Sequence, residues 1–278
     1  MPFTPSHAVI ALPFLRTPLV PAAIAVGAMA PDLPLFVQAS PLGYARTHDF
    51  AWLPVTVILA LMLLVVWRCV LRPAVRELSP TWLAQRLPQG WDRRAAGALR
   101  DTLGVHAVRM PARRQRWSLA WGDLVLLAVS LAMGVASHIL WDLFTHEGRW
   151  GTAVLPALGE EWGPLLGFKW LQYGSGVVGL VIIAVWAVVR LRRRDPAPRV
   201  ERVLPDGIRW AWWASLPVTL GVSAAIGLVA YGPLDDEFTV AHLVYRVFVP
   251  ATAVWGMLTL ILAIAVQALR TRRPAARR

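Results

Sequence analysis

The sequence has little cysteine and little charge. Cys69 is its only cysteine and lies within an apolar segment, which excludes an intramolecular disulfide framework and a cysteine-based zinc site. Only 16% of the 278 residues are charged, whereas 57% are hydrophobic; this balance is wrong for a soluble domain and typical of a polytopic membrane protein. No basic region precedes the first apolar stretch, and Pro31 follows the cleavage-like triplet Ala28-Met29-Ala30. We therefore expect no cleaved signal peptide.

Five apolar segments are long enough to cross a bilayer, which takes about 20 residues in a helix. They lie near residues 50–71, 120–143, 173–191, 210–231 and 243–269. Many of the 15 tryptophans stand at the ends of these segments, as residues at a membrane interface do. The sequence therefore predicts an all-α fold, a polytopic bundle with five long spans, formed by a single integral membrane domain over residues 1–278.

The segments that connect the spans alternate in charge. Loop 72–118 carries ten arginines against three acidic residues, the linker 192–209 carries six against three, and the tail after residue 269 is basic. Loops 144–172 and 232–242 contain more acidic than basic residues. Because basic loops stay in the cytoplasm, we expect a multi-pass plasma-membrane protein with 72–118 and the C-terminus cytoplasmic and 144–172 outside. This orientation accounts for the net charge of +12, so no nucleic-acid partner is expected.

Residues 8–38 are apolar but are interrupted by prolines. A proline inside a helix removes a hydrogen bond and kinks the chain. The interrupting residues are Pro13, Pro18, Pro21, Pro31 and Pro34. The pattern fits either a single kinked span or two short helices in a re-entrant hairpin packed against protein.

Ionisable side chains at a membrane edge are costly and usually functional. The segment SHILWDLFTHEG, residues 137–148, closes the second span and spaces His138, Asp142 and His146 four residues apart. On a helix, His138 and Asp142 share one face and can bind one divalent cation. On a straight helix, His138 and His146 are roughly 12 Å apart. Either two ions lie along the helix with Asp142 between them, or the helix ends near Thr145 and His146 folds back.

Two further ionisable groups fall on the same predicted side of the membrane. Asp32 follows the first apolar region, in APDLP, and His48 precedes the 50–71 span, in RTHDF. With His138 and Asp142 these groups predict a metal site at the non-cytoplasmic end of the bundle. Imidazole and carboxylate ligands suit zinc, and also iron, manganese or nickel.

Five sequence motifs together resemble an uncharacterised family of bacterial membrane proteins of the domain-of-unknown-function kind. They are MPFTPSHAVIALPF, GAMAPDLPLF, THDF, ASHILWDLFTHEG and LQYGSGVVGL, and the match covers nearly the whole chain in order and spacing. That family is in turn similar, more weakly, to the YdjM-like membrane-bound metal-dependent hydrolases, and remotely to zinc-dependent phospholipase C and single-strand nucleases. The resemblance implies metal ligands at six positions: His7, Asp32, His48, His138, Asp142 and His146. It also includes Gln172 and Ser175, to which we assign hydrogen bonding alone.

The sequence departs from the soluble zinc enzymes in two respects. It lacks a second C-terminal His/Glu ligand pair after His146, unless Glu160 or Glu161 substitutes, and it shows no N-terminal tryptophan ligand. We therefore expect one or two ions rather than a trinuclear site.

These observations predict a membrane-embedded hydrolase that uses a divalent metal, zinc in the first place, on an ester or phosphoester. Asp32 and His146 are expected either to complete a second ion or to act as the general base. The position of the site makes a membrane lipid the expected partner and a lipid-linked ester the expected substrate. The resemblance pairs His7 with Asp32, which predicts the hairpin for residues 8–38 with His7 near the outer face. The alternative is a non-enzymatic scaffold or small transporter whose cluster is a hydrogen-bonded network or proton path.

Overall fold

Backbone amide and carbonyl groups cannot stay unpaired in lipid, so long apolar segments fold as helices. The computed structural model describes residues 4–37, 42–109 and 115–272. This part of the chain contains five helical stretches that are long and apolar enough to cross a membrane: Phe50–Leu78, Trp121–Thr145, Gly167–Arg192, Asp206–Tyr231 and Val240–Arg272. Each stretch overlaps a predicted segment, which confirms the all-α class and the multi-pass architecture.

The helices and strands follow one another in a mainly helical order. The α-helices are α1 (Pro21–Met29), α2 (Leu33–Phe36), α3 (Tyr44–Thr47), α4 (Leu53–Val66), α5 (Arg72–Leu78), α6 (Thr81–Ala84), α7 (Ala95–Thr102), α8 (Trp121–Thr145), α9 (Trp150–Val154), α10 (Gly167–Arg192), α11 (Asp206–Tyr231), α12 (Val240–Leu243) and α13 (Val249–Arg272). The 3-10 helices are Thr4–Phe14, Ala30–Asp32, Phe50–Trp52, Gln89–Asp92 and Pro156–Gly159, and π-helical turns occupy Trp67–Leu71 and Val244–Phe248. The strands β1 (Val105–Arg109) and β2 (Gln115–Leu119) pair antiparallel, as do β3 (Glu161–Trp162) and β4 (Leu165–Leu166).

The proline-rich N-terminal region forms a hairpin of two short helices. The 3-10 helix Thr4–Phe14 and α1 are joined by a turn and pack against each other. The Thr4 hydroxyl donates a hydrogen bond of 2.6 Å to Oδ2 of Asp32, so the two ends of the hairpin meet. Of the two alternatives that the prolines left open, the structure therefore has the hairpin.

The basic loop starts later and is more structured than its composition indicates. α5 continues the first apolar stretch to Leu78, and Ser79 is extended because the residue before a proline is disfavoured in a helix. Short helices α6 and α7 and the β1–β2 hairpin follow. The segment predicted as 72–118 thus begins at Ser79.

The described chain divides into two compact units. Unit 1 comprises Met1–Pro34, Ala39–Val66 and Leu99–Arg194, and unit 2 comprises Leu35–Gln38, Trp67–Ala98 and Asp195–Arg278. All six residues of the predicted metal site belong to unit 1.

Unit 2 is organised around a buried carboxylate. Glu77 accepts hydrogen bonds from the backbone amides of Val203 and Leu204 and a salt bridge of 3.1 Å from Arg270. Arg202 donates to the carbonyl oxygens of Glu77 and Ser79. A buried charge is tolerated only when it is paired and hydrogen-bonded, and Glu77 meets both conditions.

In unit 1, α1 crosses α8 with the two backbones in direct contact. A Cβ added at Gly134 would lie 2.8 Å from the backbone nitrogen of Ala28, and one added at Gly27 would lie 2.5 Å from the carbonyl oxygen of Leu131. Only glycine at both positions permits this approach, as in small-residue contacts between membrane helices. The contact holds the Asp32 end of the hairpin against the half of α8 that carries His138.

Candidate metal centre

The end of α8 determines how its three ionisable residues are arranged. His138 and Asp142 are buried one turn apart, and α8 ends at Thr145. His146 follows in an extended conformation, and its Nδ1 lies 3.6 Å from Oδ2 of Asp142. Gly148, with a φ of +67°, then turns the chain away in a conformation that favours glycine. The structure thus agrees with the second alternative, in which His146 folds back.

The N-terminal hairpin brings His7 and Asp32 to the same place. The centre of the His7 ring lies 4.1 Å from that of His138. Oδ1 of Asp32 lies 3.6 Å from Nε2 of His138, while Oδ2 is held by the Thr4 hydroxyl. His7 is therefore a neighbour of the other site residues rather than a membrane thickness away from them.

His48 reaches the same point from the C-terminal end of α3. The Thr47 hydroxyl donates a 2.7 Å hydrogen bond to the carbonyl of Pro31, which fixes α3 against the hairpin. The next residue then directs its ring inward, and Nε2 of His48 lies 3.1 Å from Nε2 of His138. The six residues His7, Asp32, His48, His138, Asp142 and His146, here called the His/Asp cluster, are thus brought together from four parts of the chain.

The hydrogen bonds of the two central imidazoles determine where their protons lie. Nδ1 of His138 is 2.7 Å from the carbonyl of Ala28, and Nδ1 of His48 is 2.9 Å from the carbonyl of Tyr44. A carbonyl oxygen only accepts, so both Nδ1 atoms carry hydrogen. When both rings are neutral, each Nε2 atom therefore carries a lone pair, and the two lone pairs face each other. Histidines that share a metal ion have this arrangement.

The carboxylates complete the spacing expected around a small cation. Nε2 of His48 lies 3.5 Å from Oδ1 of Asp32 and 3.4 Å from Oδ2 of Asp142. Nε2 of His138 lies 3.6 Å from each of the same two oxygens. Two donors that bind one zinc ion at about 2.0–2.1 Å with a tetrahedral angle are roughly 3.3 Å apart. Each of these His–Asp separations therefore fits two donors of one divalent cation.

Several buried polar atoms of the cluster have no hydrogen-bond partner. They are Nε2 of His7, Oδ1 of Asp32, Oδ1 of Asp142 and Oε1 of the adjoining Gln172. A buried polar atom without a partner costs about 1–3 kcal/mol, and more when it is charged. Four such atoms at one place indicate that the residues fit a cationic group.

Within the described residues, two groups of three could hold a metal ion. One is Asp32, His48 and His138, and the other is His7, His138 and Asp142. His138 belongs to both, yet its Nδ1 is committed to Ala28 and only Nε2 is free to coordinate. One nitrogen lone pair binds one cation, so the two groups cannot be filled independently.

The carboxylates of the cluster affect the protonation of His48. Burial lowers the pKa of His48, but the adjacent carboxylates of Asp142 and Asp32 outweigh this effect and raise the pKa to about 9. The two carboxylates therefore favour either a proton or a cation at this point.

The residues that the resemblance added without a role contact the cluster or its rim. Nε2 of Gln172 lies 3.3 Å from Nε2 of His146, so this buried amide orients the imidazole. Ser175 accepts a hydrogen bond from the indole of Trp141. Glu160 and Glu161 are exposed, and neither belongs to the two groups found among the described residues.

Three contributors to the cluster were missed by sequence reasoning. Thr4 supports Asp32, and the backbone carbonyls of Ala28 and Tyr44 orient His138 and His48. Tyr44 stands four residues before His48, a spacing that could have indicated one helical turn. No pattern in the sequence distinguishes Thr4 or Ala28.

The comparisons with known proteins give one finding. The model of one protein family, described as "Domain of unknown function (DUF4184)", matches residues 1–269. Neither the curated proteins nor the solved structures provided a match. The expected relationship to an uncharacterised family is therefore confirmed, whereas the weaker similarity to metal-dependent hydrolases stays a prediction.

Proposed function

We propose that this chain, which belongs to the family described as "Domain of unknown function (DUF4184)", is a membrane-embedded metal-dependent hydrolase of an ester or phosphoester. The observation that carries the proposal is the facing pair of Nε2 atoms, 3.1 Å apart, with both Nδ1 atoms hydrogen-bonded to carbonyls. Oδ1 of Asp32 and Oδ2 of Asp142, which lie 3.4–3.6 Å from both Nε2 atoms, support the same conclusion.

The ligands that we propose are His48, His138, Asp32 and Asp142, with His7 beside them. Two neutral imidazoles and two carboxylates balance the charge of one divalent cation, and this donor set suits zinc as well as manganese or iron. Such a cation polarises a carbonyl or phosphoryl oxygen and makes a nearby water more acidic. Thr4, Ala28 and Tyr44 hold three of the four ligands in orientation.

His146 is the residue that we propose as general base. Its side chain is 21% exposed, so water can reach it. Its Nδ1 lies 3.2 Å from the carbonyl of Asp142, which leaves Nε2 as the basic atom; the lone pair of Nε2 accepts from the Gln172 amide at 3.3 Å, a hydrogen bond that the reacting water must replace. In the proposed reaction a water oxygen attacks the ester carbon or phosphorus, the bond to the leaving oxygen breaks, and His146 carries the proton from water to that oxygen.

The test is metal analysis and hydrolysis with the purified full-length chain. We expect stoichiometric zinc, manganese or iron, and metal-dependent hydrolysis of a p-nitrophenyl ester or of bis(p-nitrophenyl) phosphate. His138→Gln should lose both metal and activity. His106→Gln is the matched control because His106 is an exposed histidine paired with Asp123 outside the cluster. A folded protein that carries no metal and hydrolyses neither compound would contradict the proposal.

A second candidate function is a proton path in a non-enzymatic membrane protein. The observation in its favour is the 3.1 Å separation of the Nε2 atoms of His48 and His138, across which an imidazolium of His48 would donate to His138. That network still leaves His7, Asp32 and Asp142 each with an unpartnered buried atom, which is why we favour the metal. Metal analysis separates the two functions directly.

A further inference from the structure

An apolar groove begins at the His/Asp cluster and follows α10. Its first part is a cavity of about 290 Å³ between the 3-10 helix Thr4–Phe14, α8 and α10. His7 lines this cavity and is also in one of the two candidate metal groups. The groove is therefore continuous with the donors themselves.

The lining of this first cavity combines polar and apolar side chains. Ser6, Ser137 and Ser175 line it together with His7. Its other wall residues are hydrophobic: Val9, Ile10, Trp141, Val178 and Ile182. This lining matches a molecule with an oxygen-rich head at the cluster and a hydrocarbon tail.

A second cavity extends the groove along α10. It has a volume of about 780 Å³ and adjoins the first cavity at Ile182, which lines both. Its walls continue with Leu12, Leu15, Val181, Val185 and Val189, and its far end carries Arg16 and Arg190. From Ser175 to Arg190 the helix rises by roughly 22 Å. The groove is thus long enough for an extended hydrocarbon chain and ends at basic residues typical of a membrane interface.

The rim of the groove is exposed in a segment that is apolar enough to span a membrane. Val178 is 57% exposed, Val185 57% and Ile182 45%. In a membrane-spanning helix, exposed side chains of this kind face lipid rather than water. A molecule that occupies the groove therefore enters sideways from the bilayer.

We propose that this groove, named the α10 groove, holds the hydrocarbon chain of a membrane lipid whose ester or phosphoester head lies at the His/Asp cluster. The inference rests on the proposed hydrolase and specifies its substrate class. Because lipid tails are as apolar as the groove walls, the groove positions the chain rather than extracting it from water. Chain length and chain shape then decide which lipids present their head to the cluster.

The first test maps lipid contact without requiring turnover. The full chain is placed in phosphatidylcholine vesicles that contain phosphatidylglycerol with a photoreactive diazirine at the end of one acyl chain. After irradiation, we expect labelled residues in the α10 groove to exceed those on the exposed faces of α11 and α13. Ile182→Trp, which fills the junction of the two cavities, should lower groove labelling about tenfold or more, the factor that ~1.4 kcal/mol produces.

Val188→Trp is the matched control for this variant. Val188 is exposed on the same helix, at 47%, but does not line either cavity. The groove of the Val188→Trp variant should be labelled by the lipid as strongly as the groove of the unmodified chain. Uniform labelling of all exposed helices, or labelling that Ile182→Trp leaves unchanged, would overturn the inference.

A second measurement separates failure of this inference from failure of the proposed function. Hydrolysis of a short water-soluble ester and of a long-chain ester is compared in detergent. We expect Ile182→Trp to lower kcat/KM for the long-chain ester alone. Turnover of the short ester without groove labelling would retain the hydrolase and overturn the groove. Groove labelling without metal or turnover would retain the lipid site and overturn the hydrolase.

Discussion

The Thr4 hydroxyl donates a hydrogen bond to the Asp32 carboxylate. It holds Oδ2 at 2.6 Å and so aims Oδ1 at His48 and His138. Partners of this kind, which touch a ligand but not the metal, typically change metal affinity by about 10–100-fold. A substitution that removes the Thr4 hydroxyl tests this role.

Thr4→Val keeps the shape of the side chain and removes the hydrogen bond. We expect zinc affinity to fall by about 10–100-fold, measured by competition with a fluorescent chelator. Thr17→Val is the control, because the Thr17 hydroxyl is exposed and bonds to the carbonyl of Phe14. Equal affinity in both variants would assign the Thr4 hydroxyl to structure alone.

The two carboxylate oxygens of Asp142 have different surroundings. Oδ2 lies near His48, His138 and His146, while Oδ1 has no hydrogen-bond partner. Asp142→Asn keeps the size of the side chain but removes the charge that attracts a cation. We expect bound metal to be lost on elemental analysis while the helical circular dichroism is kept.

The control for that prediction is the same chemical change elsewhere on α8. Asp123→Asn alters an exposed carboxylate that pairs with His106, so the metal content should stay at the level of the unmodified chain. If Asp142→Asn retained its metal, or raised stability without ever having carried one, Asp142 would be a structural carboxylate instead.

At the scale of residues, spacing predicts only what one helix contains. The pair His138 and Asp142 follows from a separation of four residues, because one helical turn brings them to the same face. His7 has no such relation to either of them and entered through resemblance alone. The carbonyl of Ala28 could not be predicted at all, because every residue has a carbonyl and only the tertiary fold selects one.

At the scale of elements, the crossing of α1 and α8 determines whether the cluster can form. The backbones touch at Gly27 and Gly134, and the next residue, Ala28, supplies the carbonyl that holds His138. A methyl group at this crossing must push the helices apart, and overpacking of this kind costs about 1–3 kcal/mol.

Gly134→Ala should therefore lower both the thermal unfolding midpoint and the affinity for metal. Separation of the helices lengthens the bond between His138 and Ala28 and releases the imidazole from its orientation. Gly122→Ala is the matched control on α8, because a Cβ there meets no atom within 4 Å. Thermal unfolding followed by circular dichroism, with zinc titration in parallel, measures both effects. A variant as stable and as tightly metal-bound as Gly122→Ala would refute the role of the crossing.

In the N-terminal hairpin, the prolines predict breaks in the helix but not the way in which the segment folds. Five prolines predict that residues 8–38 are not one regular helix, since each proline limits the backbone. They do not determine which breaks become turns, because that depends on what the segment packs against. Here the packing partner is α8, about a hundred residues later in the chain, and no local pattern encodes it.

At the scale of the whole molecule, the arginine distribution predicts the orientation. Loop 72–118 and the tail should be cytoplasmic and loop 144–172 external. We expect fusions of an export-dependent reporter, alkaline phosphatase, to be active after residue 155 and inactive after residues 95 and 275. Green fluorescent protein at the same positions should give the reverse pattern and serves as the control. Phosphatase activity at 95 or 275 would reverse the orientation.

The long spans were predictable because length and apolar composition alone define them. The division into two units was not predicted, since all five spans are similar in composition. Packing within each unit defines the division. In unit 2, for example, Glu77 contacts Val203 and Leu204, which lie 126 and 127 positions later in the chain.

The bond between His138 and Ala28 also constrains the order of biogenesis. Its two residues are 110 positions apart, so a ribosome that adds about 5–20 residues per second makes the second on the order of ten seconds after the first. Throughout that interval the hairpin, with Asp32 and His7, has been synthesised without the helix that buries them. Such groups are poorly tolerated in lipid alone. The nascent hairpin must therefore wait in the insertion machinery or at the membrane surface, and it enters its final position only once α8 has been delivered.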